Sequence, residues 1–285
     1  MKLAFLGTPE VAVAPLRALV SDGHDIRLVV TRADKRRGRG GALLPSPVKA
    51  AAQELGLPVT DNVDDVIGAG AELGVVVAFG RLIKPHVLDA LPMVNVHFSL
   101  LPRWRGAAPL ERAILAGDDQ TGVCLMQLEE GLDTGPVYAC TPVAIGPEET
   151  AAELRTRLVE EGTHLLIHSL RTGLGTPSAQ DGEPTYAEKI EPEEHHIDWT
   201  RPAPEVHRRI RIGDAWTTFR GKRLKVVRAR LVDNGLAPGM LDGLRVGAGN
   251  GALELLEVQP EGKGPMAAAD WRNGARPRSD ERLGP

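Results

Sequence analysis

The run Leu73–Phe79, LGVVVAF, constrains the fold more than any other stretch of the chain. Seven residues without a charge or an amide are too few for a core helix, and adjacent valines, branched at Cβ, favour an extended backbone. The run reads as a central strand buried on both faces and broken by Gly80. Two such runs precede it. Lys2–Leu6, KLAFL, leads through Gly7 into a helical stretch from about Pro9 to Val20 that Gly23 ends, and Asp25–Thr31, DIRLVVT, reads as the next strand. A β-α-β opening with near-continuous apolar strands predicts an α/β fold, a mostly parallel sheet with helices on both faces. Gly7 is followed by Thr8, Pro9, Glu10 and Val11, so the Gly-x-Gly-x-x-Gly of a dinucleotide site is missing, and only Asp34 keeps a ribose ligand open.

A further run, VNVHF from Val94, differs in carrying polar residues. Asn95 and His97 lie two apart, so on a strand an amide donor and an imidazole face the same way. The run continues into Ser99–Pro109, SLLPRWRGAAP, where Pro102, Gly106 and Pro109 force an irregular path directly after the strand. Ligands of open α/β sheets bind in the crevice beyond such strand ends. Asp133 sits in Gly131–Pro136, GLDTGP, a tight turn between strands expected at Gly122–Leu128 and Val137–Ile145. Asn, His and Asp are what an acyl-type transfer needs: an oxyanion donor, a proton carrier and an anion that orients it. An Asn-x-His pair on a strand is also a common structural pair, and spacing does not decide between the two.

At 285 residues there is room for two domains. No run of about 18 apolar residues occurs. Gly7 and Pro9 interrupt the N-terminus before a signal-peptide core forms, so a cytoplasmic chain without membrane attachment is expected. Cys124 and Cys140 give neither a disulfide framework nor a metal spacing, and their apolar surroundings point to buried thiols. His164 and His168 are four apart on a helix and His195 and His196 are adjacent, but no third ligand is placed near either pair, so no metal is expected. Of 34 Lys+Arg and 38 Asp+Glu, 16 and 10 respectively fall in Arg201–Pro285, which leaves an acidic first part and a basic second part. A polyanion partner or a solvated basic face accounts for that division.

Arg32–Leu44, RADKRRGRGGALL, has five basic residues among dense glycines and no periodicity, so it is expected to form no regular element and to be a mobile basic loop. It is either a solvated connection or a segment that orders on nucleic acid. Ser46-Pro47 and Pro85 each start a helix, and Ala108–Ala116 reads as another. Thr150–Leu170 reads as a long amphipathic helix opened by a capping box from Thr150 and Glu153. Gly173 to about Thr200 reads as a linker that wraps the first domain, followed by short strands at Leu224–Leu231, Gly239–Leu241 and Leu253–Val258 with a hairpin around Gly249-Asn250-Gly251. In RLKVVRARL, Arg223 and Lys225 share one parity and Arg228 and Arg230 the other, so a bulge near Val226 and Val227 is needed to align all four.

These features together resemble the folate-dependent formyltransferases. The resemblance is carried by Asn95, His97, Ser99–Pro109, the GLDTGP turn and TRADKRRGRGGALLPSPVK from Thr31 to Lys49, and it covers nearly the whole chain, strongest from Lys2 to about Ile190. It implies a Rossmann-like formyltransferase domain over 1–185, a linker over 186–203 and a small OB-like β-barrel over 204–285 that binds tRNA. It implies Asn95, His97 and Asp133 as the catalytic group. Ser99, Leu100, Leu101 and Pro102, with Phe79, Gly80 and Arg81, become the folate contacts, and 10-formyltetrahydrofolate the formyl donor, with no metal. Lys35, Arg36, Arg37 and Arg39 become contacts to initiator methionyl-tRNA, and a monomer is expected. The chain departs from the family pattern in having Arg36 and Arg37 where proline and alanine are usual, Arg81 at a position more often apolar, and IRIGDAWTTFRG without the usual Pro-Trp-Pro. Three alternatives stay open: a transferase for a small amine such as glycinamide ribonucleotide or an amino sugar, a folate-dependent hydrolase on the same scaffold, and a non-catalytic RNA-binding protein. The basic insertion and second domain argue against the first, and intact Asn95, His97 and Asp133 against the last.

Overall fold

The structure is a computed structural model that describes the chain apart from Gly38–Gly40, Asn234, Ser279 and Pro285, and apart from the side chains of Arg37 and Ala42. The expected contact Arg39 therefore lies outside the described residues. The chain forms two compact units, one of Met1–Leu110, Gln120–Ala144 and Arg155–Glu188, the other of Glu111–Asp119, Ile145–Leu154 and Lys189–Pro285.

The chain opens with β1 (Lys2–Gly7), α1 (Val13–Ser21), β2 (Asp25–Val30), β3 (Lys35–Arg37), β4 (Ala42–Leu44), α2 (Pro47–Glu54) and β5 (Val59–Thr60). It continues with β6 (Leu73–Val77), α3 (Pro85–Ala90), β7 (Met93–His97), β8 (Arg105–Gly106), α4 (Pro109–Ala116), β9 (Gln120–Gln127), β10 (Val137–Ala144), α5 (Ala151–Thr172) and β11 (Tyr186–Ala187). The main sheet has the order β10-β9-β7-β6-β1-β2-β5. From β5 to β7 every pairing is parallel, as the apolar runs predict, and β9 and β10 extend that sheet antiparallel at one edge. Every residue of β6 and β7 is buried, which is why both lack the alternation of a one-sided sheet. Leu6, Val30, Val76, Phe79, Val87 and Met93 share one core cluster.

The expected helix starts are present. The Ser46 hydroxyl accepts from the Lys49 amide at 3.0 Å with Pro47 following, and Thr150 and Glu153 exchange backbone-to-side-chain hydrogen bonds of 2.8 and 3.3 Å ahead of α5.

Two expectations are corrected. Arg32–Leu44 contains a regular element, because Lys35–Arg37 pairs antiparallel with Ala42–Leu44, Lys35 opposite Leu44 and Arg36 opposite Leu43. A ribbon three residues deep satisfies its backbone locally without burying a face, and Lys35, Arg36, Leu43 and Leu44 are all exposed, so no periodicity marks it. The two cysteines are not free thiols, because β9 and β10 bring Cys124 directly opposite Cys140 with their Cα atoms 4.1 Å apart, joined as a disulfide. Only Cys124 is buried, while Cys140 is exposed. Cross-strand register, invisible in the spacing of the two residues, makes the pair.

The second unit holds α6 (Ala203–Arg211), β12 (Trp216–Phe219), β13 (Lys222–Val232), β14 (Leu241–Asp242), β15 (Arg245–Gly247), β16 (Ala252–Pro260), β17 (Met266–Ala267) and α7 (Ala268–Ala275). Its antiparallel sheet runs β12-β13-β16-β15-β14, with β17 also on β16, around a core of Trp199, Leu224, Val226, Leu253, Val258 and Trp271. The hairpin through Gly249-Asn250-Gly251 is present, Gly247 facing Ala252.

The register of β13 against β16 shifts between Val226 and Arg228 and shifts back between Arg228 and Ala229. Leu224, Val226 and Ala229 are consequently buried while Arg223, Lys225, Arg228 and Arg230 stand on the other side, as the paired basic residues require. Each is engaged: Lys225 with Asp214, Arg228 with Glu153 and Arg230 with Glu254, while Arg223 stacks over Trp216. The Arg220 guanidinium donates to both oxygens of Glu281 at 2.6 and 2.7 Å, and with the Arg278 amide it holds that carboxyl down to about 2.

Candidate active site

Strand β7 delivers Asn95 and His97, 9% and 5% exposed, to positions opposite Met126 and Cys124 of β9. The imidazole lies between two oxygens. Its Nε2 is 3.0 Å from the Trp104 carbonyl, and its Nδ1 is 3.6 Å from Oδ2 of Asp133. A carbonyl can only accept, so Nε2 carries a proton and donates it there, while Nδ1 faces the carboxylate. The Asp133 Oδ2 also accepts from the Gly106 amide at 2.8 Å, which ties the GLDTGP turn to the segment after β7. The Asn95 amide makes no hydrogen bond to a described residue and is not among the fully buried polar atoms left without a partner, so it is open to a ligand.

The backbone around the imidazole is bent to make this arrangement. Trp104 and Asp133 are non-glycine residues at φ +63° and +50°, and Ala78, at the end of β6, is at +45°. Such conformations persist where surrounding contacts over-determine them. Gly106, at φ +121°, has no room for a side chain, because a Cβ would meet the Ala187 carbonyl oxygen at 2.8 Å.

Those contacts come from a segment that reads as linker in the sequence. Strand β11 pairs with β8, and Ser178 pairs with Val137. Between these anchors, Gln180 Nε2 donates to the carbonyls of Asp133 and Gly135, each at 2.8 Å, while its Oε1 accepts from Arg105 Nε and a terminal nitrogen at 3.1 and 2.7 Å. Thr185 Oγ1 accepts from the Trp104 amide at 2.9 Å. Sequence reasoning missed Gln180 and Thr185, since isolated polar residues in a Gly- and Pro-rich stretch give no signal of what they meet.

The expected folate contacts lie at the ends of two neighbouring parallel strands, Phe79–Arg81 after β6 and Ser99–Pro102 after β7. Phe79 is buried, Arg81 donates to the Asp61 carbonyl at 2.7 Å, and the Ser99 hydroxyl donates to the Arg103 carbonyl at 2.6 Å, so that hydroxyl closes its own turn. Asp34, the one candidate ribose ligand, is paired with Lys49 at 2.8 Å. Among the described residues no hydrogen bond or ion pair joins the β3–β4 hairpin to His97 or Asp133, and no cluster of His, Cys, Asp and Glu has metal-binding geometry. No described helix is long and apolar enough to cross a membrane.

Residues 1–170 match the model of the formyl transferase family, and residues 189–276 match that of the formyl transferase C-terminal domain. A methionyl-tRNA formyltransferase of Roseobacter denitrificans is 46% identical over 294 residues, covering 96% of both chains. Another, of Methylobacterium sp. (strain 4-46), is 44% identical and covers 99% of both. Among solved structures, a methionyl-tRNA formyltransferase from Clostridium thermocellum superposes with a TM-score of 0.64 at 17% identity, over 93% of this chain and all of that one. An N-formyltransferase from Helicobacter canadensis gives 0.68 at 17% identity, over 90% and 99%. The paired domain models and the near-full-length relatives establish that the chain belongs to the formyl transferase family.

Proposed function

We propose that this chain transfers the formyl group of 10-formyltetrahydrofolate to the α-amine of methionyl-initiator tRNA, with Asn95, His97 and Asp133 as the catalytic group. The observation that carries this is the Asn95 amide, hydrogen-bonded to no described residue and open to a ligand, on the same strand as an imidazole that faces Asp133 at 3.6 Å. An accessible N–H donor without a protein acceptor fits a formyl oxygen that gains negative charge during reaction. The full-length relatives support the choice of acceptor.

The donor supplies an activated one-carbon unit, and the chain's residues govern its transfer. Asn95 donates to the formyl oxygen as the amine nitrogen bonds to the formyl carbon, and His97, protonated or hydrogen-bonded, offsets the growing charge. Asp133 holds that ring. Through a water it takes the proton that the amine loses and returns it to the departing folate nitrogen as the old carbon–nitrogen bond breaks.

The residues after β6 and β7, Phe79–Arg81 and Ser99–Pro102, flank the folate. Lys35, Arg36, Arg37 and Arg39 meet the acceptor end of the tRNA. The domain limits are 1–185 for catalysis, 186–203 for the linker and 204–285 for tRNA binding, and the chain acts as a cytoplasmic monomer.

The test is incubation of the protein with methionyl-tRNA and 10-formyltetrahydrofolate, followed by analysis of the aminoacyl group. Formylmethionine is expected, and Asn95→Ala slows single-turnover formation about 10²- to 10³-fold. Formylation of a small amine in its place, or formate release alone, refutes the acceptor. An unchanged Asn95→Ala rate removes that residue from the mechanism.

A further inference from the structure

The two acceptors that face the His97 ring belong to different loops, and one segment, Ser178–Ala187, is hydrogen-bonded to both. On the Nδ1 side Gln180 spans the Asp133 turn, binding the carbonyls of Asp133 and Gly135 while receiving the Arg105 guanidinium. All four of those contacts use the amide in the one orientation that lets it accept from a cation and donate to carbonyls. On the Nε2 side Thr185 accepts from the Trp104 amide, and the carbonyl of that same residue receives the His97 proton. Trp104 and Asp133 are also two of the positive-φ residues, so each sits in a backbone conformation that relaxes unless it is held. The segment is anchored at both ends, by paired Ser178 and Val137 amides and carbonyls at 2.8 and 2.9 Å and by the β8–β11 pairing.

We propose that Gln180 and Thr185 are positioning residues for the formyl transfer. Neither touches a reacting atom. Gln180 sets the Asp133 carboxylate against Nδ1, and Thr185 sets the Trp104 carbonyl against Nε2, so that the segment fixes the ring's orientation from both sides. This rests on the catalytic reading of His97 and Asp133 given above. Misplacing a catalytic group by about 1 Å can lower a rate by about 10²-fold, whereas substrate contacts made elsewhere are untouched.

The experiment measures kcat and both KM values for Gln180→Ala, Gln180→Glu, Thr185→Val and Asp133→Asn, and for Gln180→Ala combined with Asp133→Asn, with circular dichroism to establish that each folds. Gln180→Ala is expected to lose about 10- to 100-fold in kcat with both KM values within about twofold. Gln180→Glu fails to restore the rate, because a carboxylate still accepts from Arg105 but cannot donate to two carbonyls. Thr185→Val, which keeps the side chain's shape, loses about tenfold and carries the test if Gln180→Ala does not fold. Combined with Asp133→Asn, the Gln180→Ala loss disappears, since the group it positions is already gone.

If Asp133→Asn is slow while Gln180→Ala and Thr185→Val keep wild-type kcat, the positioning role alone is overturned. It is overturned equally if the Gln180→Ala loss persists in full beside Asp133→Asn. If Asp133→Asn is itself as fast as wild type, the catalytic reading fails and takes the proposal with it.

Discussion

Asp133→Asn isolates the carboxylate that faces the His97 imidazole. An asparagine oxygen still accepts from the Gly106 amide, now 2.8 Å from Oδ2, so the turn keeps its tie to β8 while the negative charge is lost. The His97 and Asp133 side chains are 6% and 12% exposed and 3.6 Å apart, so water screens them little. Losing one preorganised electrostatic contact at a reacting centre costs about 3–4 kcal/mol in the barrier, or about 10²- to 10³-fold in rate. Single-turnover formylation with enzyme in excess over methionyl-tRNA reads the chemical step directly, and a filter-binding titration of the same variant reads tRNA affinity. The expected result is a slow chemical step with affinity unchanged. A chemical rate within about fivefold of wild type refutes the electrostatic role, and parallel losses in rate and affinity place Asp133 in substrate binding instead.

Gly135→Ala places a Cβ 2.0 Å from the Gln127 carbonyl oxygen, a backbone atom that cannot swing away, and is expected to lower stability by about 1–3 kcal/mol in urea unfolding together with activity. Replacing Lys35 and Arg36 together with alanine is expected to weaken tRNA binding and flatten its dependence on log salt by about one unit per lost phosphate contact, with kcat at saturating tRNA unchanged. Glu281 is held at about 2 in the folded chain against a usual 4.5, so its contribution to stability is complete above pH 4.5 and is lost as pH falls toward 2. Glu281→Gln is therefore expected to show a shallower fall in urea midpoint across that window, and a curve parallel to wild type would remove the Arg220–Glu281 pair as its cause.

The parallel sheet was legible because residues such as Val75–Val77 leave a strand no polar face, and the helix starts at Ser46 and Thr150 because capping is local chemistry. Asn95 and His97 were legible as a pair because strand parity alone puts them together, and Asp133 because a Gly-flanked carboxylate between two strands sits at a strand end. What escaped depends on distant register. The Cys124–Cys140 disulfide follows from which residues of β9 and β10 face each other, and the β3–β4 hairpin buries no side that a pattern could betray. Gln180 meets Arg105 across 75 residues and Asp133 across 47, separations over which composition carries no information.

The doubled valine of β13 is matched across the ladder. The register slips between Val226 and Arg228 and slips back between Arg228 and Ala229, where β16 carries its own extra residue between Leu255 and Glu257, so Leu224 and Ala229 face inward and the arginines outward on both sides of the irregularity. Losing Val227 alone would keep the parity of β13 but leave the extra residue of β16 unmatched. The ladder can thus shorten here without exchanging its wet and dry surfaces only when both strands give up a residue together.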